Sequence, residues 1–357
     1  MIPKTIKEVT PGWLGDVLGA NVEAMQFTQI GQGVGLMGDI YKVALQYSDK
    51  ALRQPDSVVV KLPSSAEDTR AQGVALGMFE SEVRFYNELG PQASVGLPKI
   101  YLADITSGSA EFVIVMEDLS HLALVDQIDG MTLEQALASV KVLADIHAVW
   151  WNQVQTPGLE WIPSMVGPRI EYVDELLTQI YPVFAEGFGK YLPDGGLEIY
   201  EKFSGNYLNL NTILASRSPW TLAHQDYRVE NMMFGHSGEV VVLDWQGIGR
   251  GPGAYDLAYI LSGSMDTELR RANEKSLVQA YHEQLRRAGV VDYSLEQVWD
   301  DYGHSQLMGG LATSMVTAAT IDISNERSHQ LIETMATRHV TAALDHDGLA
   351  RLADVAR

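Results

Sequence analysis

The first third of the chain alternates short apolar stretches with turn residues, a pattern that predicts β-strands. Tyr41, Val43, Leu45 and Tyr47 occupy every second position of one stretch, and a Val-Val-Val run fills another. Alternation with a period of two gives a strand one buried face, and β-branched runs are typical of strands buried on both faces. We therefore expect strands at residues 25–30, 39–47, 56–61, 97–104 and 111–119.

Helical spacing of apolar residues dominates the remainder of the chain and marks two earlier segments. Pro11 favours a first helical position, so a short helix is expected near the start. Residues 67–89 predict one continuous helix, and Thr132 begins a long helix with its capping-box partner Gln135. The same spacing predicts helices across residues 157–222 and three or four amphipathic helices in the tail.

Residues 224–246 concentrate polar side chains that are suited to chemistry. A Ser-Gly turn separates residues 232–234 from residues 240–243, which predicts a short hairpin. The hairpin is expected to bring two carboxylates and an amide to one end, with a histidine nearby: Asp226, Asp244, Asn231 and His224. Carboxylate and amide oxygens suit Mg²⁺ better than a transition metal. An acidic surface hairpin that binds nothing is the alternative interpretation.

Composition limits the classes of function. A chain of 357 residues with 46% hydrophobic and 20% charged residues has the balance of a globular enzyme. The net charge of −21 argues against a nucleic-acid partner; residues 1–120 carry −6 of it and the rest carries −15. The acidic second part suits a cationic small substrate, although general solubility is the simpler explanation. Because no apolar segment has membrane-spanning length, we expect a cytoplasmic protein without a membrane partner. Zero cysteines exclude a cysteine nucleophile.

The order of the polar residues in this central stretch resembles the kinase fold. His-x-Asp is followed five residues later by Asn and thirteen residues after that by Asp. With Asp-Trp-Gln at the second Asp and no Arg in His-Gln-Asp, the chain is similar to the aminoglycoside phosphotransferase and choline kinase group, especially its ecdysteroid-kinase-like branch. The resemblance implies an α+β protein-kinase-like fold. It predicts an antiparallel β-sheet lobe with one helix, residues 1–117, and a mainly helical lobe, residues 118–357.

The first lobe carries the candidate nucleotide-binding residues. Gly33, Gly35 and Gly38 fit G-x-G-x-x-G, but a strand follows them instead of the helix that a dinucleotide site needs, which favours a kinase glycine-rich flap. Lys61 closes a valine run and resembles the kinase lysine that holds the α- and β-phosphates; a surface edge lysine is the alternative. Glu82 has apolar neighbours at helical spacing, so we prefer it to Glu80 as the buried partner of Lys61.

The resemblance also implies roles for the remaining candidates. Backbone groups at Glu117 and Leu119 would bind adenine, as in the hinge of small-molecule kinases. Asp226 would be the catalytic base, His224 would orient its loop, and Asn231 with Asp244 would hold Mg²⁺. Asp256 resembles an aspartate that braces the catalytic loop. Four side chains that flank the site are candidate acceptor contacts: Tyr227, Arg228, Trp245 and Gln246.

These features predict an ATP-dependent phosphotransferase that acts on a hydroxyl of a small molecule, as aminoglycoside, choline and ecdysteroid kinases do. A pseudokinase that binds nucleotide without catalysis is one alternative. A Ser/Thr protein kinase is another, but eleven residues between Asp244 and Asp256 leave no room for a peptide-binding activation segment. The expected partner is a hydroxylated small molecule, and the protein is expected to be a monomer or a homodimer.

Overall fold

Two compact units make up the protein. The computed structural model describes residues 2–31, 37–48, 54–93, 96–321 and 324–355. The first unit contains Met1–Ala123 and Val241–Gly247, and the second contains Leu124–Val240 and Ile248–Arg357. The division therefore falls at Ala123 instead of the predicted residue 117, and a short later segment joins the first unit. Contacts that hold this segment include a hydrogen bond from the Val242 amide to the Gly96 carbonyl, 2.7 Å long.

A five-stranded antiparallel sheet forms the centre of the first unit. Its spatial order is β1-β2-β3-β5-β4. The strands are β1 Val22–Ile30, β2 Gly38–Tyr47, β3 Ser57–Pro63, β4 Ile100–Ile105 and β5 Phe112–Glu117. The five predicted strands are therefore confirmed, with shifted ends. Because β3 continues to Pro63, Lys61 lies inside the strand and not at its end.

The helices of the first unit differ from the prediction at one point. Helix α1, Pro11–Leu18, begins as expected after Thr10. The continuous helix predicted over residues 67–89 is wrong, because it is divided into α2 Glu67–Ala75 and α3 Met78–Arg84, followed by a π-helical turn over Phe85–Leu89. Gly77 separates α2 from α3 with φ 66°, a left-handed conformation that no α-helix continues through.

The two faces of the large sheet have different partners. Val43, Val58 and Val60 point to one face and form an apolar core with the amino-terminal segment that includes Val9. Side chains alternate along a strand, so Lys61 points to the other face. Its ammonium reaches Glu82 on α3 there. The sheet therefore separates this apolar cluster from the ion pair of Lys61 and Glu82.

The second unit is mainly helical. The long helix begins with the predicted capping box, in which the Thr132 hydroxyl accepts from the Gln135 amide at 3.2 Å and the Gln135 side chain accepts from the Thr132 amide at 2.9 Å. Five helices follow α8 in the described part of the chain, more than the three or four predicted. The helices are α4 Leu133–Val149, α5 Pro168–Phe188, α6 Gly196–Phe203, α7 Tyr207–Arg217, α8 Ala254–Gly263, α9 Thr267–Arg287, α10 Leu295–Ser305, α11 Gly309–Thr320, α12 Glu326–Asp345 and α13 Gly348–Val355.

Short strands accompany these helices. They are β6 Ala123–Leu124, β7 Trp220–Ala223, β8 Met232–Phe234, β9 Val240–Val242 and β10 Gly249–Pro252. The Gly235 amide donates to the Glu239 carbonyl at 2.9 Å and closes the turn predicted between β8 and β9. Strand β10 pairs antiparallel with β7 inside the second unit. Across the described residues, no helix combines the length and the apolar character needed to cross a bilayer.

Candidate active site

Lys61 of the first unit is held by two carboxylates. Its ammonium donates to both carboxylate oxygens of Glu82, at 2.9 and 2.7 Å, and to Oδ1 of Asp244 at 2.8 Å. Lys61 is 6% exposed and Glu82 is 1% exposed, so the ion pair is shielded from water. The predicted pairing of Lys61 with Glu82 is confirmed. Glu80 instead accepts a hydrogen bond from the Ser107 hydroxyl at 3.0 Å.

In this cluster one ammonium contacts two carboxylates, and each group changes the pKa of its neighbours. Burial alone would lower the pKa of Lys61, but attraction by Asp244 and Glu82 outweighs burial and the pKa is raised. Burial raises the pKa of Glu82 to about 7, against the opposing attraction of Lys61 and with the help of the Asp244 charge. The contacts therefore keep Lys61 charged, and burial holds the pKa of Glu82 above its ordinary value.

The backbone at Asp244 adopts an unusual conformation. Its φ of 62° lies in the left-handed region, which costs a non-glycine residue about 1–2 kcal/mol. The following residues continue into the interior of the first unit. Trp245 is 1% exposed and stacks on Phe85 with ring centroids 3.9 Å apart, while Gln246 is 9% exposed and donates its side-chain amide to Asp244 at 3.3 Å. Trp245 and Gln246 are therefore buried with partners in the first unit, and their predicted acceptor contacts stay predictions.

Asp256 of the second unit holds the backbone of the loop that contains Asp226. Its Oδ2 accepts from the His224 amide at 2.6 Å, and its Oδ1 accepts from the Gln225 amide at 2.8 Å. His147 also contacts Asp256, at 3.2 Å. Gln225 has φ 65°, so the two bonds fix a strained turn. This is the contact expected of a bracing aspartate.

His224 lies under the same loop. The residue is 1% exposed, and its Nδ1 accepts a hydrogen bond from the Asp226 amide at 3.3 Å. The ring also packs against Tyr227. A buried imidazole that holds the amide of the neighbouring residue fits an orienting role, as the sequence predicts, and not the role of the base.

Two hydrogen-bond donors and one ion-pair partner surround the carboxylate of Asp226, which keeps 28% of its side chain exposed. Oδ1 accepts from the Tyr259 hydroxyl at 2.9 Å and lies 3.3 Å from Nε of Arg228. Oδ2 accepts from the Asn231 side-chain nitrogen at 2.8 Å, and that nitrogen also donates to the Asp226 carbonyl at 2.9 Å. Both partners of Asn231 only accept, so its nitrogen must face them and its amide oxygen remains at the other end.

The other two candidate acceptor contacts, Tyr227 and Arg228, also have partners within the protein, and their acceptor role stays a prediction. Tyr227 is fully buried, and its hydroxyl donates to the Ser139 carbonyl at 2.9 Å. Arg228 has a side chain that is 17% exposed and pairs with Asp226 and with Glu230. Both residues are close to the base in sequence, but the turn directs one side chain into the core and the other into an ion-pair network.

The nucleotide-binding predictions remain predictions. Gly33 and Gly35 lie outside the described residues, and Gly38 begins β2. The Glu117 amide donates to the Lys99 carbonyl at 2.9 Å, and the Leu119 carbonyl accepts from the Leu122 amide at 2.8 Å. These bonds fix the ends of the segment after β5, and adenine recognition there is untested.

The predicted magnesium ligands are also untested. Asp244 belongs to the first unit and Asn231 to the second. Within the described ranges, no group of three or more His, Cys, Asp or Glu side chains is arranged to hold a metal. The amide oxygen of Asn231 and the carboxylate of Asp244 are nevertheless the hard oxygen donors that Mg²⁺ prefers.

Comparison with known proteins places these residues in a family context. The sequence model of the ecdysteroid kinase-like family matches residues 32–289, well over half of the chain. An uncharacterized oxidoreductase of Caenorhabditis elegans is 22% identical in an alignment of 324 positions, which covers 79% of this chain and 38% of that protein. The chain thus spans little more than a third of that relative.

Two solved structures show a similar fold. A choline kinase of Cryptosporidium parvum superposes with a TM-score of 0.56 at 12% identity, over 98% of this chain and 93% of that chain. A spectinomycin phosphotransferase, solved with ADP and spectinomycin, superposes with a TM-score of 0.51 at 14% identity, over 95% of this chain and 99% of that chain. The chain therefore has the α+β fold of small-molecule kinases.

Proposed function

Since the chain belongs to the ecdysteroid kinase-like family, we propose that it transfers the γ-phosphoryl group of ATP to a hydroxyl of a small molecule. The observation that carries this proposal is the buried contact of Lys61 with Glu82 and Asp244. Lys61 and Asp244 are separated by 183 positions in sequence, and each was predicted from a different motif of the kinase pattern. A surface lysine, the alternative interpretation of Lys61, is excluded by its burial.

In this function the first unit handles the phosphates. Lys61 would bind the α- and β-phosphate oxygens, and Glu82 would keep its ammonium in place. Asp244 and the amide oxygen of Asn231 would be ligands of Mg²⁺. When bound, Mg²⁺ neutralises negative charge on the phosphate oxygens. Carboxylate and amide oxygens are the ligands that Mg²⁺ prefers, which supports this assignment.

The second unit supplies the base. Asp226 would accept the proton of the acceptor hydroxyl while the acceptor oxygen forms its bond to the γ-phosphorus and the bond from that phosphorus to ADP breaks. The partly exposed carboxylate and the pinned backbone of its loop support this role. Fixed donors around a base reduce the reorganisation that the reaction needs, and positioning is the main contribution of a protein to phosphoryl transfer.

A small acceptor is favoured over a peptide. The interval between Asp244 and Asp256 is filled by a single helical turn at Trp245–Gly247, strand β10 and the start of α8. Strand β10 is paired with β7, so this interval provides no free segment on which a peptide would lie. We therefore propose a hydroxylated small molecule as the acceptor.

A screen of hydroxylated compounds tests the proposal. Sugars, amino alcohols, aminoglycosides, macrolides and steroids are incubated with the protein, ATP and Mg²⁺, and ADP release is measured. An acceptor is expected to raise ADP release and to gain the mass of one phosphoryl group. Lys61→Met serves as the catalytic control, and Lys202→Met, which removes an exposed lysine paired with Glu198, is its matched surface control. Equal ADP release by wild type and Lys61→Met would contradict the proposal.

A further inference from the structure

Helix α8 contacts the Asp226 loop through two side chains on one face. Asp256 and Tyr259 are three residues apart, a spacing that places side chains next to each other on a helix. Asp256 holds the loop backbone at His224 and Gln225. Tyr259 holds the carboxylate of Asp226 itself, through a hydrogen bond of 2.9 Å. One helix face therefore fixes both the loop and the side chain of the proposed base.

The hydroxyl of Tyr259 remains a hydrogen-bond donor at physiological pH. The residue is 2% exposed, and burial, followed by the charge of Asp226, raises the pKa of its phenol well above the ordinary value. The phenol therefore stays protonated throughout the physiological pH range. A protonated phenol beside a carboxylate donates, which fixes the direction of this hydrogen bond.

The ring of Tyr259 is held by aromatic neighbours. Tyr255 lies nearly parallel to it, with ring centroids 6.5 Å apart at 6°, and His339 of α12 lies 5.4 Å away at 42°. A Cβ atom at Gly263 would lie 2.5 Å from the His339 ring, and one at Gly310 would lie 2.1 Å from it. Only glycine at these two positions leaves room for the imidazole.

The tautomer of His339 follows from its neighbours. The Ser262 hydroxyl donates to the Ala258 carbonyl at 2.6 Å, so its oxygen must accept from Nδ1 of His339 at 2.8 Å. Burial lowers the pKa of His339 to about 3, and the imidazole is neutral. The neutral His339 ring therefore packs against Tyr259 in a fixed orientation.

The two carboxylate oxygens of Asp226 have different neighbours. A carboxylate oxygen offers two lone pairs. Oδ1 accepts a hydrogen bond from Tyr259 and also forms an ion pair with Arg228 at 3.3 Å, whereas Oδ2 accepts only from the Asn231 nitrogen among the described residues. Oδ2 therefore keeps one acceptor position, and 28% of the Asp226 side chain remains open to solvent.

We infer that Tyr259 is a positioning residue that occupies Oδ1 of Asp226 and so directs proton transfer to Oδ2. This inference rests on the proposed function. During transfer, the acceptor O–H bond breaks and its proton moves to Oδ2. The electron pair of that bond forms the new bond to the γ-phosphorus, and the bond to ADP breaks. Tyr259 acts through its hydrogen bond to Asp226.

The kinetic test compares Tyr259→Phe with Tyr255→Phe. Both variants remove one buried phenol hydroxyl from α8, but the Tyr255 hydroxyl contacts Tyr207 and not the base. With an acceptor from the screen, Tyr259→Phe is expected to lower kcat about 10- to 100-fold, the range of a small misplacement of a catalytic group, with little change in KM for ATP. Tyr255→Phe is expected to keep kcat within about threefold, since no reacting group moves. Equal losses in both variants, or an unchanged kcat in Tyr259→Phe, would overturn the inference.

A double-mutant cycle tests the contact without relying on catalysis. Urea midpoints are measured for wild type, Tyr259→Phe, Asp226→Ala and the double variant. Residues in direct contact give non-additive changes, so the double variant is expected to lose less than the sum of the single losses. Additive changes would overturn the inference even where the kinase reaction is found. If no phosphoryl transfer is detected but the cycle is non-additive, the proposed function fails while the contact stands.

Discussion

The Lys61→Met variant tests the electrostatics of the first unit. Methionine keeps the length of the side chain and removes the charge. It leaves the Glu82 carboxylate, which is 1% exposed, without the ammonium that donates a hydrogen bond to it at 2.7 Å. Asp244 loses the same partner, but its side chain is 22% exposed and water compensates part of the loss.

Lys61→Met is expected to lower the free energy of unfolding strongly. Removing one partner of a buried ion pair costs about 3–5 kcal/mol because the other charge stays buried without compensation. Typical proteins have a total stability of about 5–15 kcal/mol. The variant should therefore lose about a fifth or more of its stability at pH 8. Lys202→Met is the control, because the lysine side chain is 44% exposed and an exposed pair contributes only about 0–1 kcal/mol.

The cost should depend on pH in a defined direction. The pKa of Glu82 in the folded protein lies above its ordinary value, at about 7. The folded state therefore binds this proton more tightly than the unfolded chain, and the stability from this carboxyl is lost as the pH rises toward 7. Lys61 lowers that pKa, so its removal extends the loss to higher pH. The difference between variant and wild type should be smaller at pH 5.5 than at pH 8.

Urea titrations of wild type, both single variants and Lys61→Met/Glu82→Gln at the two pH values measure these differences. The double variant contains no ionised acid at position 82 and should recover much of the lost stability at pH 8. A cost below about 1 kcal/mol at pH 8, the level of an exposed pair, would refute the reasoning. A cost that is the same at both pH values would refute the explanation through Glu82.

Two further predictions concern backbone conformation. Asp256→Asn should lower the free energy of unfolding by about 1–3 kcal/mol, because asparagine offers one acceptor oxygen where the His224 and Gln225 amides need two. An unchanged urea midpoint would contradict the bracing role. Gly77→Ala should lower the free energy of unfolding by about 1–2 kcal/mol, because Gly77 has a φ of 66°. Gly12→Ala inside α1 is the control and should raise it by about 0.5–1 kcal/mol. A Cβ atom meets nothing within 4 Å at either site, so similar melting temperatures of the two variants would exclude the conformational explanation.

Local spacing was sufficient for part of the site. Apolar residues three and four positions from Glu82 correctly placed it on the buried face of its helix, where Lys61 is the partner. The capping box at Thr132 and the turn between β8 and β9 were also predictable, because both depend on residues a few positions apart. The break at Gly77 was missed, since one glycine inside a helical pattern does not reveal a positive φ.

Neighbours in space were harder to predict than neighbours in sequence. Tyr227 and Trp245 adjoin catalytic candidates, but the backbone turns both side chains into the interior. Tyr259 contacts Asp226 across 33 positions, and no local pattern indicates that contact. The spacing of three residues between Asp256 and Tyr259 was the one sequence feature that placed both side chains on one helix face. It indicates a contact with Asp226 only once the structure shows that this face of α8 lies against the loop.

Phosphoryl transfer by Asp226→Asn tests the central claim most directly. Asparagine preserves the shape of the side chain but does not accept the hydroxyl proton. With an acceptor from the screen, the variant is expected to lose about 10²–10⁴-fold in kcat, the usual contribution of a general base. ATP with Mg²⁺ should still raise its melting temperature as in wild type. Transfer at the wild-type rate by Asp226→Asn would contradict the account.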